Sequence, residues 1–252
     1  MRKIVLFLLA IVVLAIVVLA QEPETQSLIA QGDALYSQRA DLAKAKEALA
    51  KFQEALLKGE DKYAAYWKMA KAEYWIGDHE PDDKAKKAAF QMGIYYGKKA
   101  VDLEAEKPDG HYWLGVNYGK YGEAKGVLKS LSLVKPIKAA MNKVVELDRS
   151  YEMGGADRVL GRVYFKLPGF AGGSKDKSLE HLLKSKEYGP NDALTRMYLA
   201  DTFLAKDRVE EARAELEYLL GMTSAPEDEA ETKELQEQAK KMLAEKKEFR
   251  KK

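Results

Sequence analysis

Through most of the chain, apolar residues recur three and four positions apart, the spacing of one face of an α-helix. Ala48, Phe52 and Ala55 make one such stripe, Met141, Val144 and Val145 another, and Leu235, Ala239, Met242 and Leu243 a third. β-branched residues are sparse, while Ala, Leu, Lys and Glu are abundant, a composition that favours helix. Prolines at 81, 108, 136, 168, 190 and 226 read as punctuation between helices. The pattern predicts an all-α chain. It ends in a helix over 226–252, where the acids lie early and the bases late, as the helix dipole prefers.

The first 20 residues break this pattern. Arg2 and Lys3 precede an unbroken apolar run from Ile4 to Ala20. A basic start, an apolar stretch and a small closing residue form an export signal, so residues 1–20 are expected to be a signal peptide. The same run of 17 residues is close to the lower limit of a spanning helix, so an uncleaved anchor is the other reading. A polar linker over 21–30 follows, then a helical domain over 31–225.

Within that domain a first-helix signature recurs. Leu114, Gly115 and Tyr118 carry it, as do Leu160, Gly161 and Tyr164, and then Leu199, Ala200 and Phe203. Trp67, Ala70 and Tyr74 give a weaker copy, and Ala48, Phe52 and Ala55 look like a second helix that belongs with Gly32. These are the positions of the tetratricopeptide repeat, whose period is about 34 residues. Here the intervals are 46 residues from Gly115 to Gly161 and 39 from Gly161 to Ala200, so loops are inserted. The expected fold is a set of stacked helix hairpins, a TPR-like α-solenoid, in which each hairpin buries its apolar face on its neighbours.

One insertion is KLPGFAGGSKDK, Lys166 to Lys177. Its glycines, serine and lysines invite comparison with a phosphate loop. That loop needs G-x-x-x-x-G-K-[ST] between a strand and a helix. Here the lysine follows the serine, aspartate stands where a hydroxyl belongs, and the preceding segment is a repeat helix. The segment reads as a turn inside a hairpin.

Two features suggest a binding surface. Glycines at 115, 119, 122 and 126 lie along one stripe if the helix is continuous. Each costs about 0.8–1.0 kcal/mol against alanine in a helix interior. Close packing, a ligand surface or a break in the helix must therefore offset them. All three tryptophans (Trp67, Trp75 and Trp113) and eight of the fourteen tyrosines fall between residues 63 and 121. That is more than a repeat core requires, and the surplus is expected to line an apolar cavity.

Net charge narrows the function. At +2 the chain exerts no long-range pull on nucleic acid, and 46% hydrophobic with 33% charged residues fit a folded core with a solvated surface. There is no cysteine, hence no thiol nucleophile or thiolate metal site. His79, His111 and His181 are far apart and form no H-E-x-x-H pattern. No catalytic residue, cofactor or metal is expected.

HYWLGVNYGKYGEAKGVLKSL (His111 to Leu131) and GGADRVLGRVYFKLPGFAGGS (Gly154 to Ser174) together resemble the T-component of TRAP transporters, and WKMAKAEYWIGD (Trp67 to Asp78) is similar to that family's first-helix motif. The resemblance implies a periplasmic, non-enzymatic accessory of a TRAP-type uptake system, assembled as a trimer. Its implied partner is the substrate-binding subunit, with a small hydrophobic or carboxylate ligand. Gln21 stands where many members carry a lipid-bearing cysteine, so no lipoprotein is expected. The candidate ligand- or partner-binding residues are Trp75, from the aromatic cluster, and the motif residues His111, Tyr112, Trp113, Asn117, Tyr121, Lys129, Arg158, Arg162, Pro168, Gly169, Gly172 and Gly173. Arg158 and Arg162, one turn apart, are placed either to clamp a carboxylate or to pair with nearby acids. The alternative function is a general envelope TPR scaffold for protein–protein interaction.

Overall fold

The computed structural model describes residues 26–225 and 228–250; the proposed leader lies outside them. Among the described residues the chain is helical throughout. The helices are α1 (Leu28–Tyr36), α2 (Leu42–Lys58), α3 (Lys62–His79), α4 (Asp83–Leu103), α5 (Pro108–Lys125), α6 (Val134–Asp148), α7 (Tyr151–Lys166), α8 (Lys175–Tyr188), α9 (Ala193–Leu204), α10 (Val209–Leu220) and α11 (Glu229–Glu245). Short 3-10 turns cover Val127–Leu133, Gly169–Ala171 and Lys247–Arg250. The first helix begins at Leu28, inside the stretch expected to be linker, because the Ser27 hydroxyl caps it by accepting from the Ala30 amide. Aspartates cap α2, α3, α4 and α9 in the same way, and Pro108 opens α5.

α1 to α10 pair into five antiparallel hairpins, and the first helices α1, α3, α5, α7 and α9 also touch one another in succession. This is the stacked, TPR-like architecture. The first four hairpins each close on a glycine. A Cβ on Gly32 would lie 2.3 Å from the Phe52 ring, and one on Gly161 would lie 2.7 Å from Leu182. Between hairpins, Gly97 of α4 lets the backbone of Leu114 in α5 come to 2.8 Å of where its Cβ would be.

The core forms two clusters. One runs from Tyr36 to Leu160, and the other from Leu179 to Phe249. Inside the second cluster α8 and α9 are joined by hydroxyls: Ser178 bonds Thr202 at 3.1 Å, and Ser185 bonds Thr195 at 2.9 Å. Asp157, fully buried, accepts from Arg149 and His181 at 2.7 Å each and ties α7 to α8. α7 opens on a left-handed turn, with φ of 48°, 55° and 72° at Glu152, Met153 and Gly154.

The glycine stripe is not uniform. Gly115 packs tightly, with a Cβ there falling 2.2 Å from Met141 Cε, while a Cβ on Gly119 would meet nothing within 4 Å. Gly126, just past α5, has φ +90° and ends the helix. Close packing offsets glycine at Gly115 and a helix end does so at Gly126, while Gly119 is left facing open space.

Gly97→Ala is expected to destabilise the fold by about 1–3 kcal/mol, because the methyl meets backbone that cannot turn aside. Urea unfolding checks this. A variant as stable as the parent would show that α4 and α5 are not held so closely.

Candidate functional site

The first helices gather their inward side chains around a cavity of about 160 Å³. In the three middle hairpins the position after the small first-helix residue faces it: Lys71 after Ala70, Val116 after Gly115, and Arg162 after Gly161. One turn further on, Trp75, Lys120 and Lys166 face it too. Gly119 and Gly122 give it width, and Tyr36, Tyr74, Tyr112, Trp113 and Tyr198 complete the aromatic wall.

The aromatics are locked together. Tyr112 meets Trp113 edge-on at 5.0 Å, and Trp113 meets Tyr74 at 5.7 Å. Trp75 donates its indole N–H to the Arg39 carbonyl at 2.7 Å and stacks on His79 at 3.9 Å. Cations lie over the rings. Arg39 sits 4.8 Å from Trp75, Lys71 sits 5.1 Å from Trp113, and Arg162 sits 4.3 Å from Tyr198.

Each of the six basic side chains lining the cavity has a carboxylate within 4 Å. Arg158 holds Asp192 at 2.9 Å and donates to the Tyr112 hydroxyl at 2.8 Å. Arg162 holds Asp201 at 2.8 Å, and Lys120 holds Asp78 at 2.5 Å. Lys71 is 3.6 Å from Glu152, Lys166 is 3.9 Å from Glu123, and Arg39 is 3.8 Å from Asp228. The two arginines thus pair with acids of α9 and its cap, which is the second of the two readings of their spacing. Burial pushes the Tyr112 phenol well above its ordinary pKa, so it stays neutral, and burial also raises that of Glu231.

Two buried donors in this wall have no acceptor among the described residues: the Trp113 indole N–H and Arg162 Nε. Both belong to residues around the cavity, and both call for an oxygen.

Of the candidates from the sequence, Trp75, Tyr112, Trp113, Arg158 and Arg162 come together here. Asn117 does not. It is fully buried on another side of α5, donating to the carbonyls of Ala70 and Trp113 at 2.9 and 2.8 Å. Its Oδ1 has no hydrogen-bond partner among the described residues. His111 bonds the Ala105 carbonyl, the Tyr121 hydroxyl accepts from Gln91, and Lys129 is exposed; none of these three lines the cavity. Pro168, Gly169, Gly172 and Gly173 form a turn held by Gly173 N donating to Pro168 O at 3.0 Å, with Gly172 at φ +87°. None of these four lines the cavity, though Lys166 and Leu167 just before them do.

Residues 28–167, more than half of the chain, match the model of the family described as regulator of microtubule dynamics protein 1-3. The chain belongs to this family. The regulator of microtubule dynamics match spans α1 to α7, which supply most of the cavity wall, and stops before α8 to α11. No curated protein matches the chain. Among solved structures, a thermophilic TPR protein of Thermus thermophilus superposes with a TM-score of 0.65 at 20% identity, covering 87% of this chain and 98% of that one. At that identity the likeness shows the fold. A helical-repeat protein of TPR type is therefore established; neither match is to a TRAP transporter T-component.

Among the described residues no His, Asp and Glu cluster is placed to hold a metal, and no helix is long and apolar enough to cross a membrane.

Glu73 of α3 stands outside the cavity lining and is buried, which raises its pKa to about 7. Its folded pKa therefore exceeds the unfolded value of 4.5. The stability it contributes is present below pH 4.5 and is lost as pH rises to about 7. The loss is about 3 kcal/mol at most. Glu73→Gln should remove this slope, so that unfolding free energies of parent and variant diverge at about pH 8 and converge at about pH 4. Parallel curves over that range would refute it.

Proposed function

We propose that the chain is a non-catalytic scaffold of TPR type that holds another molecule against its inner face and releases it unchanged. The observation that carries this is the aromatic-walled cavity with two buried donors, Trp113 N–H and Arg162 Nε, that have no acceptor among the described residues. A guest with an apolar body and an oxygen acceptor fits such a lining. A side chain or terminus of a partner polypeptide meets that description. The family's described role, regulation of microtubule dynamics, is one exercised through binding and supports a protein-binding reading.

The narrower reading is an exported accessory of a TRAP-type uptake system. It would work in the periplasm as a trimer beside the substrate-binding subunit and receive a hydrophobic or organic-acid ligand. What favours it is that Tyr112, Trp113, Arg158 and Arg162, all in the two resembling blocks, face one cavity.

Gly119 gives the test. Its Cβ meets open space, so Gly119→Phe fills the cavity without a backbone clash, and it replaces a helix-interior glycine. In crosslinked pull-downs from the native source, proteins and small molecules are identified side by side. The parent should capture a set that Gly119→Phe loses at least tenfold, while its melting temperature does not fall. Identical captured sets would overturn the proposal. Capture of an extracytoplasmic substrate-binding protein would single out the narrower reading.

A further inference from the structure

The last helix, α11, lies across the inner face and joins the two ends of the array. Its start reaches the first two hairpins. Asp228 sits 3.8 Å from Arg39, the Glu234 carboxylate is 3.0 Å from His79 Nε2, and Ala230 packs on the first core cluster. Its outer side is fixed to α10: Leu235 and Ala239 are buried in the second cluster, and Gln236 donates to the carbonyls of Leu219 and Met222 at 3.1 and 3.0 Å.

Against the inner face the fit is poor. A second space of about 250 Å³ separates Glu231, Glu234, Leu235, Gln238 and Met242 from the wall formed by Tyr74, Trp75, Lys120 and Arg162. Glu231 lines both spaces. Its carboxylate feels Arg158 and Arg39, yet it makes no hydrogen bond or ion pair with the described residues. A half-buried carboxylate without a partner gains little from its place, and a helix laid over empty space forfeits dispersion contacts. Asp228, Glu231 and Glu234 follow one another at intervals of three, so they form an acidic edge turned toward Arg39, Arg158 and His79.

We infer that α11 is a built-in competitor for the inner face. The segment it stands in for is an acidic amphipathic helix of the partner, with carboxylates three residues apart beside an apolar stripe. Such a helix in the groove matches a known mode of peptide recognition. The inference rests on the inner face being the binding surface, as proposed above. The partner helix enters when α11 lifts from the wall while its outer side stays on α10.

The probe is a fluorescein-labelled peptide of residues 228–245 of this chain, followed by anisotropy. The chain has no cysteine, so His79→Cys with Glu234→Cys can be joined by a bis-maleimide and fixes α11 in place. Glu231→Lys with Glu234→Lys opposes Arg158 and loosens α11. The loosened form should bind the peptide at least tenfold tighter than the parent, and the linked form at least tenfold weaker than the same variant before linking. Equal binding by linked and unlinked protein sinks the competitor idea and leaves the scaffold reading intact, whose own test is capture by Gly119→Phe. Absence of binding by every form also sinks it, since an emptied groove must accept its own helix. If circular dichroism shows the lysine variant unfolded, the linked pair alone decides.

Discussion

In hairpin after hairpin a glycine of the first helix faces a bulky side chain of the second. Gly32 meets Phe52, Gly77 meets Phe90, Gly115 meets Met141 and Gly161 meets Leu182. The missing Cβ lets the ring or branch sit against bare backbone, so the two axes approach closely. Packing at the density of protein interiors then fixes the pitch of each pair. Everything on the inner face inherits its position from these contacts. In α5 and α7, where Gly115 and Gly161 face the partner helix, the next residue and the one a turn later face inward.

That geometry explains why the cavity is both basic and stable. Lysine and arginine stems run along the aromatic faces while their charged ends reach carboxylates. The acids come from elsewhere in the fold: Asp192 caps α9, Asp201 lies on α9, and Asp78 ends α3. The site is therefore a neutralised lining rather than a positive funnel. Its selectivity rests on shape and on the two donors without acceptors, with little long-range steering.

The sequence disclosed the helices, the hairpins and the turn at Leu167–Ser174, because periodicity and glycine spacing are local. The aromatic surplus disclosed part of the cavity: of the eleven tryptophans and tyrosines between residues 63 and 121, Tyr74, Trp75, Tyr112 and Trp113 line it. Lys71, Lys120 and Lys166 were hidden, since lysines in a helix look like a solvated face until register is assigned from Ala70, Gly115 and Gly161. Motif membership misled in the opposite sense. Asn117 and Tyr121 share a segment with Trp113, yet Asn117, one turn on, is bonded into the core beyond the cavity's edge, and Tyr121 is bonded to Gln91. The pairing of Arg158 and Arg162 with α9, and the passage of α11 back to the first hairpins, are contacts between distant segments with no local trace.

Because α11 returns to the first hairpins, the array has no free end. An open solenoid melts by fraying, as each terminal unit has one neighbour to lose. Here unzipping from α1 must also undo Asp228 and Glu234, and unzipping from α10 must release the same helix. Closure of this kind links the outermost hairpins through a single helix. While α11 lies on the wall, opening at α1 and opening at α10 are tied to the same helix; once it lifts, the two ends of the described fold part.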